Sequence, residues 1–280
     1  MITHLKNTEI DRSRWDDLVM QWSGQPYGLS WWLDIVSPGW EALILNDYEA
    51  VMPLPVKRRF GLKYMVQPRF CQQLGVFGAA DTTEFLRAIP YLSYDFNLNY
   101  RNDFSGSHFR WHTNYIISQQ PTANGQKPTA NCLRNIRKAS SLSVGQVSAG
   151  EFLALWQEEN LWMGADYSRL LTQLVGESLD RGYGILLGIR SEGRVVSAIF
   201  AVSTAERVIL LAPVSDAEGK RCSAMFGIVN RLIVENPDKI IDCEGSMIPG
   251  VARFYRGFGA VEQNYRRIWR MSWRRKRKIN

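Results

Sequence analysis

The stretch "GILLGIRSEGRVVSAIFAVSTAERVILLAP", residues 184–213, constrains the fold more than any other part of the chain. It holds three apolar runs rich in Val, Ile and Leu, each strand-sized, separated by short polar turns at 191–193 and 204–207. Runs of that length joined by tight turns pair as antiparallel neighbours. Two helical stripes precede them, Phe152, Leu155 and Trp156, then Leu170, Leu171, Leu174 and Val175. After them a glycine-containing turn, "SDAEGKR", leads into a helix with the stripe Met225, Ile228, Val229 and Leu232. A strand "KIIDCE", a helix over 249–258 and the alternating "VEQNYRRIWRM" complete the half. Strand, helix, strand, helix requires a crossover and locally parallel strands, so this half is a mixed α/β layer structure.

The first half repeats that order loosely. Trp15, Leu18, Val19 and Trp22 mark one face of a helix, and "SWWLDIV" a second short one. Residues 42–68 read as three strands, two apolar runs joined at Asn46 and Asp47 and a third beyond a turn at 59–61. Pro53 and Pro55 make the second run an edge or bulged strand. Residues 82–89 read as a helix, "YLSYDFNL" as extended and "SHFRWHTNYIIS" as a strand. Between the halves lies "QQPTANGQKPTAN", residues 119–131, almost devoid of apolar side chains and the best linker in the chain. The expected division is 1–120, 121–271 and a basic tail at 272–280, with an internal duplication and a chance recurrence of strand meanders as the two accounts of the repeat.

At 280 residues, 45% apolar and 22% charged, the chain has material for two packed cores. The net charge of +7 is carried by eight Lys and Arg between Arg266 and the C-terminus, so the remainder is nearly neutral. A final "RRKRK" is a solvated tail or a contact for phosphate, RNA or an anionic membrane surface. Cys71, Cys132, Cys222 and Cys243 form no C-x-x-C pair and have no histidine at metal spacing, so neither structural zinc nor a disulfide framework is expected. No leader-like segment and no apolar run of spanning length is present, and a cytoplasmic enzyme or binding protein with no membrane span is the expectation.

The residues that carry chemistry cluster late. In 239–244, alternation sets Ile240, Asp242 and Glu244 on one face and Ile241 and Cys243 on the other. Two carboxylates at a strand's C-terminal end either line a cleft or find cationic partners. Partly desolvated, one of them would remove a proton from an ammonium group. The bland account is an ion pair with Arg253 or a cap on the helix near Pro249. Arg134, Arg137 and Lys138 share a helical face, which suits a phosphate-rich ligand or plain solvent. His4, His108 and His112 have no triad or metal spacing. There is no G-x-S-x-G and no P-loop, which argues against a serine hydrolase or an NTPase.

The element order, two helices, a three-strand meander, a turn into a helix, a strand, a helix and a last strand, resembles the GNAT acyltransferase superfamily. The segment "GVARFYRGFGA" resembles that superfamily's penultimate helix. A tandem of two such domains, the second opened by the basic "LRNIRKA" at 133–139, resembles the FemAB-type branch. The resemblance implies an α/β fold of two tandem GNAT-like domains, each a mixed sheet flanked by helices. It also implies acyl or aminoacyl transfer onto an amine acceptor, small or like a peptidoglycan precursor. For that transfer Glu244 or Asp242, the strand-end carboxylates, would supply the base, and the resemblance makes Tyr255, at the matching position of the helix, the acid that protonates the leaving group. The ring of Tyr255 shares the apolar stripe of Val251, Phe254 and Phe258. Main-chain N–H groups of the third strand would hold the oxyanion.

The family's phosphate-binding turn aligns with "DAEGKR", which keeps only Gly219. Lys220, Arg221 and the following helix start at Ser223 would attract a pyrophosphate and Asp216 would repel it. The resemblance implies acyl-CoA or, by its FemAB-type branch, aminoacyl-tRNA as the donor, with Arg137, Lys138 and Arg253 toward the substrate and no metal. A binding module that has lost its donor site is the competing expectation.

Overall fold

A computed structural model of the chain describes residues 1–118, 127–245 and 248–271. Most of the expected linker, 119–126, and the basic tail, 272–280, lie outside the described residues. The chain divides into two compact units, Met1–His112 with Asn264–Asn280, and Thr113–Gln263.

The first unit runs β1 (Ile2–Lys6), α1 (Arg12–Ser23), α2 (Ser30–Val36), β2 (Glu41–Leu45), β3 (Ala50–Leu54), β4 (Val56–Arg59), β5 (Leu62–Val66), β6 (Phe77–Gly78), α3 (Thr82–Ala88), β7 (Tyr94–Asn97) and the start of β8 (Phe109–Ile117). The three-strand reading of 42–68 needs correction. The second apolar run breaks at Pro55 into β3 and β4, which belong to different sheets. Pro55 supplies no N–H and fixes its own φ, so a strand cannot continue through it in register. Pro53 lies opposite Ala42 on one side of β3, while on the other β6 reaches only Ala50 and Val51. The order β1-β2-β3-β6 is antiparallel throughout. Its core is built from tryptophans: Trp15 lies 4.9 Å from Trp40 between ring centroids and donates from its indole N–H to the Gly28 carbonyl at 2.8 Å. Gly28 is required there, because a Cβ would stand 2.6 Å from the Phe77 ring. The remaining strands pair β4 with β5 antiparallel and β5 with β7 parallel.

The second unit follows with α4 (Ala130–Ala139), β9 (Val144–Gln146), α5 (Ala149–Glu159), α6 (Ala165–Asp180), β10 (Gly184–Ser191), β11 (Arg194–Ser203), β12 (Arg207–Ser215), α7 (Ala217–Arg221), α8 (Ala224–Glu235), β13 (Ile240–Asp242), α9 (Pro249–Gly257) and the start of β14 (Val261–Arg270). The meander of 184–213 forms as its pattern predicts, β9 to β12 antiparallel in sequence order. The crossover through α8 makes β12 and β13 parallel, and β13 is antiparallel to β8 on its other side. Helices cover both faces. Ile228, Val229 and Leu232 of α8 and Tyr255 and Phe258 join Val196, Val208 and Leu210 in one core. On the opposite face Phe152 of α5 meets Phe200 of β11, ring centroids 6.2 Å apart. With both faces covered, β11 is buried from Val195 to Val202, which explains its unbroken apolar run.

Candidate active site

The two strand-end acids of the second unit, Asp242 and Glu244, stand where β12 and β13 part. The two strands pair only at Arg207 with Ile240, Val208 with Ile241 and Ile209 with Asp242. Beyond Asp242 the chain stays with β8, the Cys243 N–H donating to the Tyr115 carbonyl at 2.9 Å. Strand β12 runs on to Ser215 beside β11. At the divergence β12 carries a bulge, since Phe200 to Val202 of β11 spans Ala212 to Ile209. A bulge breaks the ladder and re-aims main-chain groups, and it recurs next to sites of chemistry.

Asp242 sets the geometry of the exit. It is fully buried, its Oδ2 accepts from Arg207 Nη1 at 3.0 Å and its Oδ1 accepts from Asn114 Nδ2 at 2.9 Å. The same Oδ1 accepts the Glu244 N–H at 3.0 Å, a carboxylate closing a turn over the two residues that follow it. Glu244 and Gly245 both take left-handed conformations, φ 55° and 56°. Strand alternation therefore ends at Cys243, and Glu244 leaves the strand where the sequence keeps it on the face of Asp242. Gly245 has no substitute there, because a Cβ would lie 2.2 Å from the Thr113 carbonyl oxygen. The cation facing Asp242 is the buried Arg207, whereas Arg253 is exposed on α9. Arg207, read from sequence only as the end of a turn, is the residue that reasoning missed. Its one visible signal is a lone cation opening an otherwise apolar strand.

Tyr255 is buried in the core of α9. Burial, joined by the nearby Cys243, Glu244 and Asp242, pushes its phenol well above the usual tyrosine range. The same burial, with Asp242 beside it, pushes the Cys243 thiol up. Tyr255 thus lies within electrostatic reach of Glu244 and keeps its proton at any physiological pH.

The expected phosphate turn is different from its sequence reading. Residues 217–221 are a short helix, α7, and Asp216 is its N-cap, accepting the Gly219 N–H at 2.8 Å. Against the cost of partial burial, that N–H and the Arg194 guanidinium hold the Asp216 carboxyl below its ordinary range. The donor a pyrophosphate would use at Gly219 is thus taken by the chain itself. Gly219 is retained for packing: a Cβ would stand 2.3 Å from the Val196 carbonyl oxygen of β11. Gly219→Ala is expected to cost about 1–3 kcal/mol by overpacking, read as a lower denaturation midpoint. An unchanged midpoint would show that β11 yields to the methyl group.

The remaining cations collect at the start of α8. Ser223, at φ 61°, precedes that helix without capping it, and its hydroxyl donates to Asn135 Oδ1 of α4 at 2.9 Å. Lys138 Nζ donates to the Arg221 carbonyl at 2.6 Å, which brings α4 and the α7–α8 junction together. Among the described residues Arg134, Arg137 and Lys138 pair with no carboxylate. Lys220 turns away to Glu159 at 3.1 Å, and Arg221 stands 4.0 Å from Glu218. Of the residues grouped by sequence, Arg221, Ser223 and Lys138 meet, with Arg137 exposed beside Lys138, while Gly219 and Lys220 serve α7.

The histidines have ordinary surroundings. His4 pairs with Glu41 at 2.7 Å, His108 Nδ1 lies 3.0 Å from the Ser107 hydroxyl, and burial pushes the half-buried His112 down. All four cysteines are free thiols. Among the described residues no group of three His, Cys, Asp or Glu could hold a metal ion, and no helix is long and apolar enough to cross a membrane.

No protein-family model matches the sequence, and no curated protein matches it. Solved structures do. FemX superposes with a TM-score of 0.65 at 10% identity, over 95% of this chain and 97% of its own. A tandem GNAT protein from the clavulanic acid biosynthesis pathway gives 0.54 at 10% identity, over 96% and 98%. The L-PGS structure from Bacillus licheniformis gives 0.53 at 13% identity, over 92% and 91%. The chain therefore has a mixed α/β fold like that of FemX and of the tandem GNAT protein, the fold that its element order resembles. At these identities the likeness carries the fold and leaves the chemistry to the site.

Proposed function

We propose that the chain is a transferase that moves an acyl group onto an amine, and more narrowly an aminoacyl group held as an ester, as on an aminoacyl-tRNA. One observation carries this reading: β12 and β13 separate after three paired residues, with a bulge in β12 at the separation and Glu244 taken out of its strand just beyond it. An attacking amine must lose a proton, and Glu244 is the base. The oxyanion formed at the donor carbonyl takes main-chain N–H groups of β12 at the bulge. Tyr255 then protonates the leaving oxygen.

Two features favour an ester over a thioester. A thiolate is a stable leaving group near neutral pH, with a thiol pKa of about 8.5. An alkoxide is far more basic, needs a proton as it leaves, and can take it even from a phenol of raised pKa. The capping of α7 by Asp216 also removes a main-chain donor from coenzyme A's pyrophosphate, while Arg137, Lys138 and Arg221 beside the uncapped α8 suit a polyphosphate backbone. The acceptor is an amine of a small molecule or of a peptidoglycan-precursor-like peptide.

The test pairs labelled aminoacyl-tRNA and labelled acetyl-CoA with a panel of amines. Transfer from the aminoacyl ester is expected, and uncharged tRNA should raise the melting midpoint in proportion to its occupancy. Transfer from acetyl-CoA alone would sink the ester reading. If neither donor reacts or shifts the midpoint, the competing account holds, a binding module whose donor turn Asp216 has closed.

A further inference from the structure

The first unit carries an apolar cavity of about 620 Å³ between the β4–β5 hairpin and residues 90–93, closed at one side by Met271. Phe60, at the hairpin tip, is 89% exposed, and Leu92 across the cavity 75%. Leu62 and Met271 are exposed on the same rim. Of the three successive exposed cations of β4, Lys57, Arg58 and Arg59, Arg59 lines the cavity with Phe60 and Leu62, and residues 56–66 contain no acid.

The hairpin tip is built against its own turn chemistry. Phe60 and Gly61 take φ values of 49° and 77°, and Arg59 pairs with Leu62, a two-residue turn with both central residues left-handed. Asn-Gly is the favoured pair there, and a bulky aromatic at positive φ is an outlier. The chain thus holds a large apolar ring, touched by the Arg59 guanidinium 5.2 Å from its centroid and otherwise in water, at a position where folding would prefer asparagine, which points to a further contact made by the ring. The rim of the cavity is held firmly: Ser93 Oγ donates to the Met271 carbonyl at 2.7 Å and Arg270 to the Tyr91 carbonyl. From Met271 the sequence continues as "SWRRKRKIN", its most basic stretch.

We propose that this face is a docking surface for an anionic membrane, with Phe60, Leu62, Leu92 and Met271 entering the interface and Lys57, Arg58 and Arg59 meeting the headgroups. Protruding apolar side chains ringed by cations match the interface in both of its properties, an apolar boundary under a negative surface. The surface lies in the first unit and does not depend on the transfer reading.

Co-sedimentation with phosphatidylcholine vesicles, with and without phosphatidylglycerol, tests it. Binding to the anionic vesicles is expected to be stronger by about fivefold per engaged cation and to weaken with salt. The variant Phe60→Asn with Leu62→Thr improves the turn and keeps strand propensity, so its melting midpoint should hold or rise while vesicle binding falls about tenfold. Equal binding by that variant overturns the proposal, as does the lack of a preference for phosphatidylglycerol. A chain ending at Met271 should bind more weakly but keep its dependence on Phe60 and Leu62. If that truncation abolishes binding, the tail is the membrane element and the hairpin is not.

Discussion

Asp242→Asn and Arg207→Met should each lower stability by about 3–5 kcal/mol, and the double variant should recover a large part of the loss. The two side chains are buried and 3.0 Å apart, so each single change strands an uncompensated charge in the core. Asparagine at 242 keeps an Oδ1 that can accept from Asn114 and from the Glu244 N–H, the two bonds that Asp242 Oδ1 accepts at 2.9 and 3.0 Å. With Met at 207 as well, neither position of the pair carries a charge and the turn is preserved. In a unit of this size about 2–4 °C accompanies each kcal/mol, so the single variants should melt lower by about 6–20 °C. The coupling term of the thermodynamic cycle should reach about 2–3 kcal/mol. Single variants within about 1 kcal/mol of the parent would mean that the pair is relaxed by water and does not hold the exit of β13.

Much of the fold is readable in local pattern, and the departures occur where a distant partner decides. The helix at 30–36 and the strands of 184–215 appear where periodicity sets them, because each buries a face that repeats at its own spacing. Pro55 breaks its run as its chemistry requires, but which sheet each half joins depends on strands β2, β5 and β7, which no local window contains. Gly219 invites a phosphate reading because glycine in a turn before a helix is shared by phosphate loops and by helices packed tightly on a strand. The deciding atom, the Val196 carbonyl oxygen, is 23 positions away. The cap was legible, since aspartate three residues before the N–H it accepts is a standard helix start. Arg207 and Asp242 are 35 positions apart and become neighbours only through parallel pairing, so neither could be assigned to the other from spacing.

Glu244→Gln should reduce aminoacyl transfer about 10²–10⁴-fold while leaving the melting midpoint near that of the parent. The argument rests on the division of labour between the two acids that end the strand. Asp242 is spent on Arg207, Asn114 and the turn, and has no proton work left to do. Its oxygen fixes the Glu244 N–H, and the positive φ at 244 takes that residue out of the ladder just past the last pair of β12 and β13. Glutamine keeps the length, the backbone preference and the polarity of that side chain but cannot accept a proton from an ammonium group. A loss of kcat with little change in KM is therefore the signature of a base, and raising the pH should restore part of the rate as more of the acceptor amine becomes neutral. Asp242→Asn separates the roles: its loss should follow folded fraction, and activity per folded molecule should stay within about tenfold of the parent. A Glu244→Gln enzyme with full turnover would remove the carboxylate from the chemistry and leave Tyr255 and the β12 bulge as the site.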